Sequence, residues 1–118
     1  MTGERELRAG DVVLIDFNPV KGSEQAGIWP AVVVSINDIN VRSRRLIVCP
    51  ITGNMTPWIT KLALPDGLKT TGMVLTDQVR AVDVAARVLR WVESTDPVFL
   101  AQVRGRVGRW IGLELPDR

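Results

Sequence analysis

The run from Gly10 to Pro30 constrains this chain more than any other stretch. Asp11 to Phe17 reads as a strand, with Val12 and Leu14 among apolar neighbours and Asp11 and Asp16 bounding it. A polar, glycine-rich loop of about ten residues follows, longer than the usual hairpin connection. Pro30 then opens a second strand, Ala31 to Ser35, whose apolar run fits a strand buried on both faces. Two strands joined in this way commit the first third of the chain to a sheet.

The rest continues in short strands. Leu46 to Ile51 is a third, and Pro50 inside it implies an edge or a bulge near Thr52. Asn37 to Asn40, with Arg42 to Arg45, reads as a polar connection. Trp58 to Leu64 alternates like an amphipathic strand; Gly72–Leu75, Gln78–Val82 and Arg87–Val92 complete about six or seven strands. The pattern then changes. Asp96 suits an N-cap with Pro97 at the first helical position. Leu100, Val103, Val107, Trp110 and Ile111 recur at helical spacing, and Gly112 is a natural stop. The expected class is α+β: a single domain over residues 1–118, with 1–9 as a flexible arm.

The chain has no histidine and one cysteine. That excludes His-assisted hydrolases, the two-histidine type of ribonuclease and a structural zinc site. Cys49 has no internal disulfide partner and lies in an apolar strand, where it reads as a small buried hydrophobe. Any catalysis has to come from Arg, Lys, Thr, Ser or carboxylates. Met1–Glu6 is charged and lacks the apolar stretch of a signal peptide, and no run approaches the ~20 apolar residues that span a bilayer. A cytoplasmic protein is expected. The net charge is only +2, but Arg42, Arg44 and Arg45 cluster, as do Arg104, Arg106 and Arg109. Such clusters can line a phosphate-binding stripe or simply face solvent.

Several blocks in order resemble the MazF/PemK family of toxin endoribonucleases. They are Gly10-Asp-Val with Phe17-Asn-Pro, Gly22-Ser-Glu-Gln-Ala-Gly27, Pro30-Ala-Val-Val-Val-Ser35, Val48-Cys-Pro-Ile-Thr52, and Gly72 to Asp83. The resemblance covers about Gly10 to Gly112. It implies an SH3-like small β-barrel with a C-terminal helix, a homodimer, no cofactor and no metal. It also implies the toxin of a type II toxin–antitoxin pair, cutting single-stranded RNA to 2′,3′-cyclic phosphate and 5′-hydroxyl ends. The partners so implied are mRNA and an antitoxin protein, with no membrane.

The same resemblance places Thr52 as the catalytic threonine and Ser23 to Gly27 in the active-site loop. Glu24 is a candidate proton acceptor. Phe17, Asn18, Lys21, Ser23, Gln25, Gln78 and Arg80 are candidate RNA contacts. One departure matters most. The family has an arginine immediately before the proline, and here that position is Trp29. Arginine is a fixed planar cation matched to phosphate; tryptophan has one N–H donor and no charge. An indole can stack a nucleobase but cannot perform the arginine's task. Catalysis is therefore expected to be impaired, whether the residue is native to the chain or an inactivating replacement. Two alternatives stand beside the ribonuclease: a non-catalytic binder of RNA or antitoxin, and a poison of a type II topoisomerase like the CcdB-type gyrase toxins, which share the fold.

Overall fold

The computed structural model describes residues 6–18 and 27–113. Ten elements follow in order: β1 (Asp11–Asp16), β2 (Ile28–Val33), α1 (Asn37–Ser43), β3 (Arg45–Thr52), β4 (Lys61–Ala63), β5 (Met73–Leu75), β6 (Arg80–Asp83), α2 (Val84–Arg87), β7 (Val88–Ser94) and α3 (Pro97–Trp110). The seven strands form one antiparallel sheet in the order β4-β5-β3-β2-β1-β7, with β6 also on β3. The expected α+β class, with about six or seven short strands and a C-terminal helix, is what the chain adopts. The strand path is open rather than closed, with β4 and β7 at its ends.

Alternation along β1, β2 and β3 gives each sheet face its own core. Val13, Ile15 and Phe17 join Ala31, Val33, Leu46, Val48 and Val82 on one face. Val12, Val32, Cys49, Ile51 and Val74 form the other, and Phe99 and Val103 of α3 cover it. The unbroken apolar run of β2 is thus buried on both sides, as its composition predicts. Asp96 caps α3 by accepting the Phe99 N–H at 2.7 Å, with Pro97 opening the helix.

Strand β3 is central, and its proline has a specific place. On one side β3 pairs with β2 through Val48, Cys49 and Pro50. On the other it pairs with β6 from Arg45 to Val48 and with β5 at Ile51 and Thr52. Cys49 and Pro50 fall in the gap between those two partners. Proline is tolerated there because that side of the strand has no ladder to complete. Neither an edge strand nor a bulge is needed.

Three expectations change. The segment expected as a polar connection is helix α1. The Asp38–Arg42 ion pair at 3.0 Å bridges one turn, and Arg44 stops the helix in a left-handed conformation at φ 60°. Buried Asn40 ties the helix inward through Ser35 and the carbonyl of Leu7. The strand expected from Trp58 begins only at Lys61, and the residues before it are a hydrogen-bonded loop. Strand β2 starts two residues earlier than expected, at Ile28, so Pro30 lies inside it opposite Leu14.

Gly72 fixes the end of β3. Its φ is +135°, and a β-carbon there would collide with the Thr52 carbonyl. Both facts forbid a side chain. We expect Gly72→Ala to destabilise the fold by at least about 2 kcal/mol, read as a lowered denaturation midpoint in urea.

Candidate active site

The β2–β3 register sets Ala31 opposite Pro50. Carried two residues further, it brings Trp29 level with Thr52. Trp29 also pairs with Ile15 on β1. By alternation Trp29 and Thr52 lie on the same sheet face as Ile15, Phe17 and Val48. Two positions widely separated in sequence therefore meet at one rim of the sheet, where β2 and β3 leave their ladder.

Thr52 is 8% exposed, and its hydroxyl oxygen accepts the Asn54 N–H at 3.1 Å. That bond leaves the hydroxyl proton for another acceptor. Trp29 is half-buried against the first core. Gly27 lies beside its indole: a β-carbon there would sit 3.5 Å from Nε1, and φ is +111°. Arg80 opens β6 opposite Val48, on this same face. Its guanidinium carbon lies 4.8 Å from the centroid of the Phe17 ring, a cation–π contact. Arg80 therefore reaches from β6 toward the end of β1, close to the row that holds Trp29.

Phe17 itself is 1% exposed and belongs to the core, so its ring has no face for RNA. Its parity with Val13 and Ile15 puts it there. Its role is to seat Arg80. Gln78 lies in the turn before β6 rather than on the strand, and its N–H donates to the Leu75 carbonyl at 3.2 Å. Asn18 is exposed, and its N–H is held by Asp16 Oδ1 at 2.8 Å. Lys21, Ser23, Glu24 and Gln25 lie outside the described residues.

Arg87 carries no local signal of its role. At the end of α2 it donates from Nη1 to the carbonyl of Asn18 and, at 3.4 Å, to that of Asp16. It pins the chain where β1 runs into the loop. The clustered arginines are less available than expected. Arg42 pairs with Asp38, Arg104 donates to the Val34 carbonyl at 2.9 Å, and Arg106 donates to that of Ile59 at 3.5 Å.

Cys49 lies on the opposite face, in the second core. Burial, with a smaller contribution from the charge of Asp77, pushes its thiol up to about 12. It stays protonated and is no nucleophile. Among the described residues no cluster of three metal-ligating side chains occurs. No described helix is long and apolar enough to cross a membrane. The rim thus brings a hydroxyl and an indole to one level, with a seated guanidinium at the neighbouring row.

Comparison with known proteins bears on the family and the fold. Residues 8–111 match the family model for the PemK-like, MazF-like toxin of type II toxin–antitoxin systems. The chain is 32% identical over 103 residues to the endoribonuclease toxin MazF of Escherichia coli K12, covering 87% of this chain and 92% of that protein. It is 30% identical over 106 residues to the endoribonuclease PemK of Escherichia coli, covering 86% and 80%. The fold superimposes on the crystal structure of MazF from Deinococcus radiodurans with a TM-score of 0.86 at 31% identity, over 92% of this chain and 99% of that one. A MazE-MazF crystal structure from the same organism matches with a TM-score of 0.82 at 29% identity, over 93% and 100%.

Proposed function

Because the chain belongs to the PemK-like, MazF-like toxin family of type II toxin–antitoxin systems, we propose that it is a cytoplasmic endoribonuclease toxin of reduced activity that cuts single-stranded RNA at specific sequences. The observation that carries this reading is the convergence of Thr52, Trp29 and the Arg80–Phe17 pair on one rim of the sheet.

RNA brings its own nucleophile. The ribose 2′-oxygen attacks the adjacent phosphorus, the new 2′-O–P bond forms, and the bond from phosphorus to the 5′-oxygen breaks. The 2′-hydroxyl proton passes to a base, and the departing 5′-oxygen takes up a proton. The products are a 2′,3′-cyclic phosphate and a 5′-hydroxyl. No external nucleophile and no metal are required, only proton transfer and stabilisation of the charge on the pentavalent phosphorus. The Thr52 hydroxyl donates to a non-bridging phosphate oxygen. Glu24 is the candidate base by its chemistry and its place in the loop. Arg80 brings positive charge to the rim, although its guanidinium rests on Phe17 at the next row rather than level with Thr52. Trp29, level with Thr52, brings none. The transition state therefore has a hydrogen-bond donor but lacks its best-placed cation, which is the physical basis for slow cleavage.

Trp29 also favours a second reading, a member that holds RNA or antitoxin without cutting. An RNA cleavage assay run beside a gyrase supercoiling assay separates the three possibilities. Slow, metal-independent cleavage with no effect on supercoiling is expected. RNA binding without any cleavage supports the second reading, and inhibited supercoiling supports a topoisomerase poison.

The antitoxin partner is proposed to present an acidic, disordered segment that folds on binding and blocks the RNA surface. A MazE-MazF crystal structure among the structural neighbours supports a protein partner of this kind of toxin, though not the form its binding segment takes. A homodimer is also proposed. Ile36, Ile39 and Val41 around α1 are 57%, 43% and 53% exposed, and Ile47 on the adjacent strand is 38% exposed. Exposed apolar side chains gathered on α1 and the adjacent strand are candidates for an interface between copies. Light scattering should give twice the chain mass, and Ile36→Glu with Ile39→Glu should reduce it to the mass of one chain.

A further inference from the structure

The loop between β3 and β4 exposes three large apolar side chains within five residues. Met55 is 55% exposed, Trp58 68% and Ile59 65%. Exposed apolar side chains grouped in this way are a signal of an interaction site. This loop is also fixed in place. The Thr52 hydroxyl accepts the Asn54 N–H at 3.1 Å, and Asn54 Oδ1 accepts the Thr56 N–H at 3.0 Å. Lys61 Nζ donates to the carbonyls of Asn54 at 3.1 Å and Thr56 at 2.8 Å, and its own N–H donates to the Trp58 carbonyl at 3.0 Å. Arg106 of α3 donates to the Ile59 carbonyl at 3.5 Å. Behind it, Trp110 Nε1 donates to Thr76 Oγ1 at 2.8 Å, and Thr76 donates to the Thr60 carbonyl. A rigid scaffold holds out an indole whose outer side packs on nothing described.

We propose that Trp58 is a stacking platform for an unpaired nucleobase of the RNA next to the scissile phosphate. This rests on the ribonuclease reading and extends it to a base-binding residue. Three observations select an unpaired base as the occupant. The loop that carries Trp58 begins directly after Thr52, and its first turn is anchored on the Thr52 hydroxyl, which accepts the Asn54 N–H. From Gly53 to Pro65 the chain has no acidic residue, and its one charge is Lys61. With Arg106 beneath, the local field is positive and suits a polyanion. A planar, exposed, preorganised indole matches the π-face that every base presents, at little entropic cost.

The test uses a labelled pool of random-sequence 12-nucleotide RNA with 2′-fluoro riboses, which cannot undergo attack by a 2′-hydroxyl. Binding is read by fluorescence anisotropy. Trp58→Ala should raise the dissociation constant roughly five- to a hundredfold, and Trp58→Phe should stay within about threefold of the unmodified chain. In a Trp29→Arg background with cleavable RNA, Trp58→Ala should raise KM and leave kcat within about threefold, the pattern of lost binding common to ground and transition states. A melting temperature unchanged in Trp58→Ala confirms that the fold is kept, as expected for so exposed a side chain. Equal RNA affinity in Trp58→Ala and the unmodified chain overturns the proposal. So does a loss confined to dimerisation or to antitoxin binding, which would assign the patch to a protein partner. If Trp29→Arg cleaves RNA and Trp58→Ala leaves its KM unchanged, the platform falls while the ribonuclease reading stands. If no variant binds or cleaves RNA, both fall.

Discussion

Trp29→Arg is expected to raise RNA cleavage at least tenfold over the unmodified chain. The position faces the open rim level with Thr52, and its strand is already paired to β1 on one side. A guanidinium there places planar donors and a fixed charge where the pentavalent phosphorus accumulates negative charge. Tenfold requires only ~1.4 kcal/mol of transition-state stabilisation, whereas loss of one preorganised group at such a site typically costs ~2.7–4 kcal/mol. The gain should appear in kcat, because the charge it answers is largest in the transition state. The indole is half-buried, so the change also removes apolar contact with the first core. A modestly lowered melting temperature is therefore expected alongside the higher rate. A rate that rises while stability falls separates a catalytic gain from better folding.

Removing the Thr52 hydroxyl in that Trp29→Arg background should cost roughly 10²- to 10³-fold in kcat. Thr52→Val is the informative variant. It keeps the β-branched shape that suits a strand paired to Met73 and removes only the hydroxyl. Thr52→Ser should recover most of the activity, because it keeps the donor. The hydroxyl also accepts the Asn54 N–H, so Val leaves that exposed amide to water and loosens the loop that follows. Ser keeps this bond too. For that reason RNA binding and kcat have to be measured together. A hydroxyl that donates to phosphate shows a large kcat effect in Val, whereas a hydroxyl that only caps the loop shows mainly a KM effect. A Thr52→Val variant that cleaves as fast as its parent removes Thr52 from the mechanism.

The parts of the fold that sequence made legible are those fixed by local rules. β1 and β2 follow from apolar runs with turn residues between them, and α3 follows from the Asp96 cap, Pro97 and helical spacing. The parts that were hidden depend on distant partners. α1 stands because Asn40 is buried against Ser35 and Leu7, contacts that no window of its own residues reveals. Trp58 to Thr60 alternates as a strand would, yet Lys61 turns its ammonium back onto two carbonyls and holds a loop instead. Pro50 suggested an edge because its ladder gap is made by the handover from β6 to β5, which is a property of topology.

The site was legible to a similar extent. Thr52 and Trp29 came from motif position, and the register brings them level. Phe17 was expected at the surface, although its parity with Val13 and Ile15 already pointed inward. Arg80 was expected as an RNA contact; what sequence did not carry was its seat on the Phe17 ring, which needs β6 beside β3. Arg87 clamps Asn18 from a position 69 residues away, beyond any local signal.

The rim holding Trp29 and Thr52 is proposed as the active site of a metal-independent ribonuclease whose rate Trp29 limits. The most direct measurement compares the unmodified chain and Trp29→Arg on one single-stranded RNA in excess EDTA, with product ends identified by mass spectrometry. The expected result is at least tenfold faster cleavage by Trp29→Arg, with fragments ending in 2′,3′-cyclic phosphate and 5′-hydroxyl. Equal rates for the two chains, or fragments ending in 5′-phosphate, would contradict it.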